Sequence, residues 1–125
     1  MKKYDPNKAP DPDVWCALAE SKQILLVKQY HMRKRVKLPN AEIHAVFHVI
    51  VENQVAMGDE KNVSKTLDRL IADGLDRHDA LHAIGSVLTE HFWDLMNEDA
   101  SVFSEEAYAA DLDALTIEKW MELAE

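Results

Sequence analysis

A chain of 125 residues, 47% of them hydrophobic, can bury one sizeable core but not two independent ones, so a single domain is expected. A formal charge of −9, with no window approaching about eighteen uninterrupted apolar residues, argues against a nucleic-acid binder or a membrane-spanning protein and for a soluble cytoplasmic one. The lone Cys16 excludes an intramolecular disulfide, and its place between Trp15 and Ala17 predicts a small buried thiol without redox chemistry.

The charge is unevenly spread. Residues 1–40 carry nine Lys/Arg against four Asp/Glu, residues 41–96 four against ten, and residues 97–125 one against nine. The basic run Arg33-Lys34-Arg35 with Lys37 is short and lacks interleaved aromatic residues, so it reads as a solvated helix end rather than a nucleic-acid surface. Residues 1–10, with their charges and prolines, are expected to be a flexible lead-in, and residues 97–125 an acidic helical tail docked on the core.

Every element in chain order reads as helix. Asp11-Pro12-Asp13 is a start signal: an N-cap acceptor, a proline at the first helical position and an acid at the positive end of the dipole. The first helix is predicted to run from there to about residue 35, with Val14, Leu18, Leu25 and Leu26 on its apolar side, and Leu38-Pro39-Asn40 ends it and caps the next. The second, about 41–57, places Ile43, Val46, Phe47, Ile50 and Val51 on one face before Gly58; the third, about 62–73, buries Val63, Leu67, Leu70 and Ile71 before Gly74. The fourth opens at Asp76 and presents Leu81, Ile84, Leu88, Phe92 and Leu95. Gly85 inside it is a helix weakness that suggests close approach of another helix or a ligand. One or two short helices follow, about 104–112 and 116–123, docked through Phe103, Tyr108, Leu115 and Trp120. The expectation is an all-α domain of five or six helices.

Two pairs of histidines carry the sharpest chemical signal. His44 with His48, and His78 with His82, are each four residues apart, so each pair projects from one side of its helix and can share an ion. Both pairs are displaced from their helix's apolar direction by roughly 90–150°, a similar offset on both helices. Six histidines scattered over this length would produce two separate pairs of this spacing on the order of a few per cent of the time. The expected metal residues are therefore His44, His48, His78 and His82, with Glu52 and Asp79 as further oxygen ligands or as acceptors that orient an imidazole; zinc or another divalent transition ion suits this donor set. His31 and His91 read as ordinary surface or boundary residues.

Other chemistry is poorly supported. The chain has no HExxH, glycine-rich phosphate loop, GxSxG or CxxC, and the doublet His78-Asp79 stands without the further histidines and late aspartate that metal phosphohydrolases place on separate helices.

The stretch His44-x-x-x-His48-x-x-x-Glu52-Asn53-Gln54, the segment Arg77-His78-Asp79-Ala80-Leu81-His82-Ala83-Ile84-Gly85 and the closing Phe92-Trp93-Asp94-Leu95-Met96 together resemble an uncharacterised family of short bacterial helical proteins, a domain of unknown function. The resemblance implies an all-helical fold, with antiparallel helix pairs in an α-α superhelix, and histidine pairs at these places; it implies no activity. Two functional readings follow from the residues: a metal-binding helical domain with a structural or hydrolytic centre, or a helical interaction or self-association module in which the histidines are incidental.

Overall fold

The structure, a computed structural model, describes residues 1–35, 40–58, 62–97 and 103–124. Among the described residues there are seven helices and no strand: α1 Pro12–Cys16, α2 Glu20–Arg33, α3 Ala41–Ala56, α4 Val63–Ala72, α5 Arg77–Asn97, α6 Glu105–Ala114 and α7 Ile117–Ala124. The fold is all-α, as the periodicity predicted. None of these helices is long and apolar enough to cross a membrane.

The caps follow the chemistry of their residues. Asp11 accepts hydrogen bonds from the amides of Asp13 and Val14, Asn40 from Ile43, Asp76 from Asp79 and Ser104 from Ala107, each satisfying an amide that the first helical turn leaves unpaired. Gly58 and Gly74 follow α3 and α4 with φ of 83° and 123°, the left-handed region where a side chain is strained. Leu38, Pro39 and Lys37 lie outside the described residues.

The expected first helix is two. The chain breaks after Cys16, and Ala19 caps α2 with an extended backbone. The break has a polar reason that no glycine or proline announces: Trp15 is fully buried and its indole N–H donates to Asn53 Oδ1 at 2.8 Å, while the Gln23 amide donates to the Trp15 carbonyl at 2.9 Å. With Trp15 turned inward on a helix of five residues, its neighbours Val14 and Cys16 turn outward. Cys16 is exposed, which corrects the expected buried thiol. Leu25 is also exposed, while Leu26 and Val27 beside it are fully buried.

Two cores share α3. One gathers Tyr4, Trp15, Leu26, Val27 and Tyr30 against Ala45 and Val49; the other gathers Val51 with the apolar faces of α4, α5 and α6. Packed from several sides, α3 does not obey a single apolar face. Its buried stripe includes Ala45, His48, Val49 and Glu52, while Ile43, predicted as core, is 52% exposed. Ile71 is likewise exposed at the edge of α4.

The N-terminal segment also departs from expectation. Tyr4 and Pro6 are buried, and the Arg77 guanidinium donates to the Pro6 carbonyl. At the other end, Arg69 donates through both terminal nitrogens to the carbonyls of Leu112 and Leu115, at 2.9 and 2.8 Å, so a cation meets the negative end of α6. Phe103, Tyr108, Leu115 and Trp120 pack on the second core, as the sequence predicted.

Gly85 has no helix against it. A Cβ built there meets no atom within 4 Å, and its backbone is not left-handed. Gly85→Ala is therefore expected to raise the free energy of unfolding by about 0.5–1 kcal/mol through helix propensity alone, and urea denaturation checks it. A destabilised variant would mean that the glycine is needed by the fold itself.

Candidate metal centre

Three helices deliver five imidazoles to one place. His31 comes from the last turn of α2, His44 and His48 from successive turns of α3, and His78 and His82 from successive turns of α5. One ligand atom from each of His31, His48, His78 and His82 lies within 4.8 Å of every other. The two predicted pairs do converge, and His31, expected to be an ordinary residue, is 3% exposed among them.

The hydrogen bonds decide which nitrogens are bare. His31 Nδ1 lies 2.9 Å from the carbonyl of Val27, which can only accept, so Nδ1 carries the proton and the unprotonated Nε2 accepts from His44 Nε2–H at 3.2 Å, a contact that a bound ion would replace. The Tyr4 hydroxyl donates to Glu52 Oε2, and the hydroxyl oxygen itself lies 2.8 Å from His48 Nε2. With its proton committed to the carboxylate, the hydroxyl accepts from His48 Nε2–H, which leaves His48 Nδ1 unprotonated. That Nδ1 is buried without a hydrogen-bond partner, as are His78 Nε2 and His82 Nε2.

Both oxygens of Glu52 already have partners. Its two oxygens take both arms of the Arg77 guanidinium at 2.7 Å each, and it acts on the histidines only through Tyr4. Burial first, then the nearby Glu52 charge, pushes the Tyr4 hydroxyl well above its ordinary value and keeps it a donor. Asp79 is not among the four residues whose ligand atoms cluster. His44 stands beside the four, its Nε2 3.2 Å from His31 Nε2, at the edge of a cleft. His91 is remote and lies 2.6 Å from Asp111 of α6, an ordinary boundary role as expected.

Electrostatics disfavour the charged form of His44, His48, His78 and His82. Burial first, then neighbouring imidazoles, holds His44, His78 and His82 each down at about 4 and His48 well below its ordinary value. Neutral nitrogen is the form that coordinates. The same shifts set a pH dependence for the metal-free protein. The folded values lie below the unfolded value of 6.5, so the unfolded chain binds protons more readily. Stability is then complete above about pH 6.5 and is expected to fall between about pH 6.5 and 4 as protons pull the equilibrium toward the unfolded state. Urea midpoints that stay constant from pH 7.5 to 5 would contradict this.

The donor set suits a transition metal. Four nitrogens at the roughly 2.0–2.1 Å bond length of zinc stand about 3.3 Å apart around a tetrahedral ion, and the separations here reach 4.8 Å. Inward side-chain shifts on the order of 1 Å close the set, and buried polar atoms otherwise left unsatisfied give them a driving force.

Comparison with curated proteins and with solved structures returned no match. Residues 12–114, from the start of α1 to the end of α6, match the model of the family described as a domain of unknown function (DUF1841), and the chain belongs to that family.

Proposed function

We propose that this protein binds one divalent transition-metal ion, with zinc as the reference case, through His31 Nε2, His48 Nδ1, His78 Nε2 and His82 Nε2. The observation that carries this reading is the convergence of three buried imidazole nitrogens that have no other partner, together with a fourth whose proton is held away by a carbonyl. Buried polar atoms left without a partner cost about 1–3 kcal/mol each, and three together are rare unless something satisfies them. The Glu52–Tyr4–His48 chain adds to this, because a carboxylate fixing a histidine's tautomer from behind is how metal-bound imidazoles are commonly oriented.

His44 stands outside the four, and four positions filled by histidine nitrogens, three of them buried, favour a structural ion over one open to substrate. Self-association is the second reading, and the exposed Met32, Trp93 and Met96 favour it.

Elemental analysis of protein purified without an affinity tag tests the first reading, with about one equivalent of metal per chain expected. Less than about a tenth of an equivalent, with no thermal shift on adding zinc, would overturn it and leave self-association ahead.

A further inference from the structure

Two surfaces of the chain leave apolar side chains in water, and their charges are opposite. The first is the outer face of α2. Leu25 and Met32 lie seven residues apart, so they project within about 20° of each other and about 10 Å apart along the axis, opposite the buried Leu26, Val27 and Tyr30. They are 44% and 73% exposed. Lys22 stands one turn before Leu25, and Arg35 follows the end of the helix. Both cations are exposed without an ion-pair partner among the described residues, whereas Lys28 is held by Glu42 and Arg33 by the Tyr4 carbonyl.

The second surface is a cleft of about 760 Å³ between α3 and α5. Its α5 wall runs from Gly85 to Trp93, about 12 Å at helical rise, and Ile43 and Phe47 face it from α3. Ile43 is half exposed and Trp93 65% exposed, apolar surface that nothing in this chain covers. Gly85 costs helix stability, yet a Cβ built there meets no atom within 4 Å, so the space it leaves admits something from outside. Among the described residues no lysine or arginine lines the cleft, and its only formal charge is Glu90. Asp94, one turn further along α5, lies on the same side as Glu90, and neither acid has an ion-pair partner among the described residues.

The two surfaces match in length and apolar character, and the cations of one complement the acids of the other. A helix laying apolar side chains a few turns apart into a groove is a recurrent mode of recognition. We infer that the cleft takes the outer face of α2 from a second copy of this chain, with Leu25 and Met32 entering over Gly85 between Ile43 and Trp93, and the unpaired cations drawn to Glu90 and Asp94. This rests on the self-association reading above and makes no use of the metal.

Sedimentation velocity on the whole chain, from about 1 to 500 μM, is expected to show a mass that rises with concentration. Met32→Glu on the α2 face, and Gly85→Leu or Trp93→Ser in the cleft, are each expected to weaken association by at least about tenfold, with circular dichroism unchanged. Glu90→Lys is expected to weaken it as well, although that change lowers the net negative charge that drives copies apart. Because the contact joins two different surfaces, Met32→Glu keeps an intact cleft and Trp93→Ser an intact α2 face. An equimolar mixture of the two is therefore expected to form a one-to-one dimer that neither forms alone. A chain that stays monomeric throughout overturns the self-association reading and this inference with it, and leaves the metal reading standing. Association that survives Met32→Glu or both cleft variants, that is strengthened by Glu90→Lys, or that is not restored on mixing overturns this inference alone.

Discussion

Zinc affinity is expected to fall by more than about a hundredfold when either His48 or His82 is replaced by alanine, a larger loss than the roughly ten- to hundredfold usual for removing an outer orienting group. Each substitution takes one of four nitrogens from a set whose members lie within 4.8 Å. The double variant His48→Ala/His82→Ala is expected to lose little more than either single one, because the first change already dismantles the site and the effects cannot add. Tyr4→Phe should fall in the ten- to hundredfold range: His48 Nε2–H loses its acceptor, and nothing then holds the proton off Nδ1. Competition against a chromophoric chelator measures all four variants. An unaltered affinity in His31→Ala would remove α2 from the site and break the present ligand assignment.

Glu52→Gln is expected to destabilise the metal-free protein by about 3–5 kcal/mol, a large part of the stability of a small domain. Glu52 is 1% exposed and Arg77 8%, and the pair is bidentate. Burial alone would lower the Arg77 pKa, but the hydrogen-bonded carboxylate more than offsets it, so the guanidinium stays charged and would be left without its counter-ion. The double variant Glu52→Gln/Arg77→Met should recover much of the loss, since no buried charge remains unpaired. Urea unfolding at pH 7.5 reads the difference. A single-variant loss under about 1 kcal/mol would mean that water reaches Arg77 and that the pair behaves like a surface one.

The two variants separate two roles of one network. Glu52 and Arg77 hold the N-terminal segment through the Pro6 carbonyl and the Tyr4 hydroxyl, and that same hydroxyl sets the tautomer of His48. Stability and metal readiness are therefore coupled through Tyr4. Tyr4→Phe should cost much more in metal affinity than Glu52→Gln does per unit of lost stability.

Some of the centre was legible before folding was considered. Spacing four places His44 with His48 and His78 with His82 on common helix sides, because successive turns stack such residues. His31 carried no such mark: Val27 and Arg35, its neighbours at spacing four, are not ligands, and nothing local distinguishes it. Glu52 was visible as a carboxylate near His48 but not as the partner of Arg77, which lies 25 positions away.

The buried face of α3 escapes simple periodicity for a related reason. A single hydrophobic direction is meaningful when one side of a helix faces water, yet α3 packs against α1, α2, α4 and α5. Its polar stripe then goes inward along with part of its apolar one, and Ile43 is left outside.

By itself, then, the amino-acid sequence determined the all-α class, the caps at Asp11, Asn40 and Asp76, the glycines after α3 and α4, and the two histidine pairs. These depend on contacts within a few residues, where helical periodicity and side-chain chemistry act directly. Only the tertiary structure decided that the pairs meet, that His31 joins them while Asp79 does not, and that Glu52 turns to Arg77 and Tyr4. Those outcomes depend on how three helices cross, which is set by the packing of residues far apart in the chain and leaves no periodic trace along it.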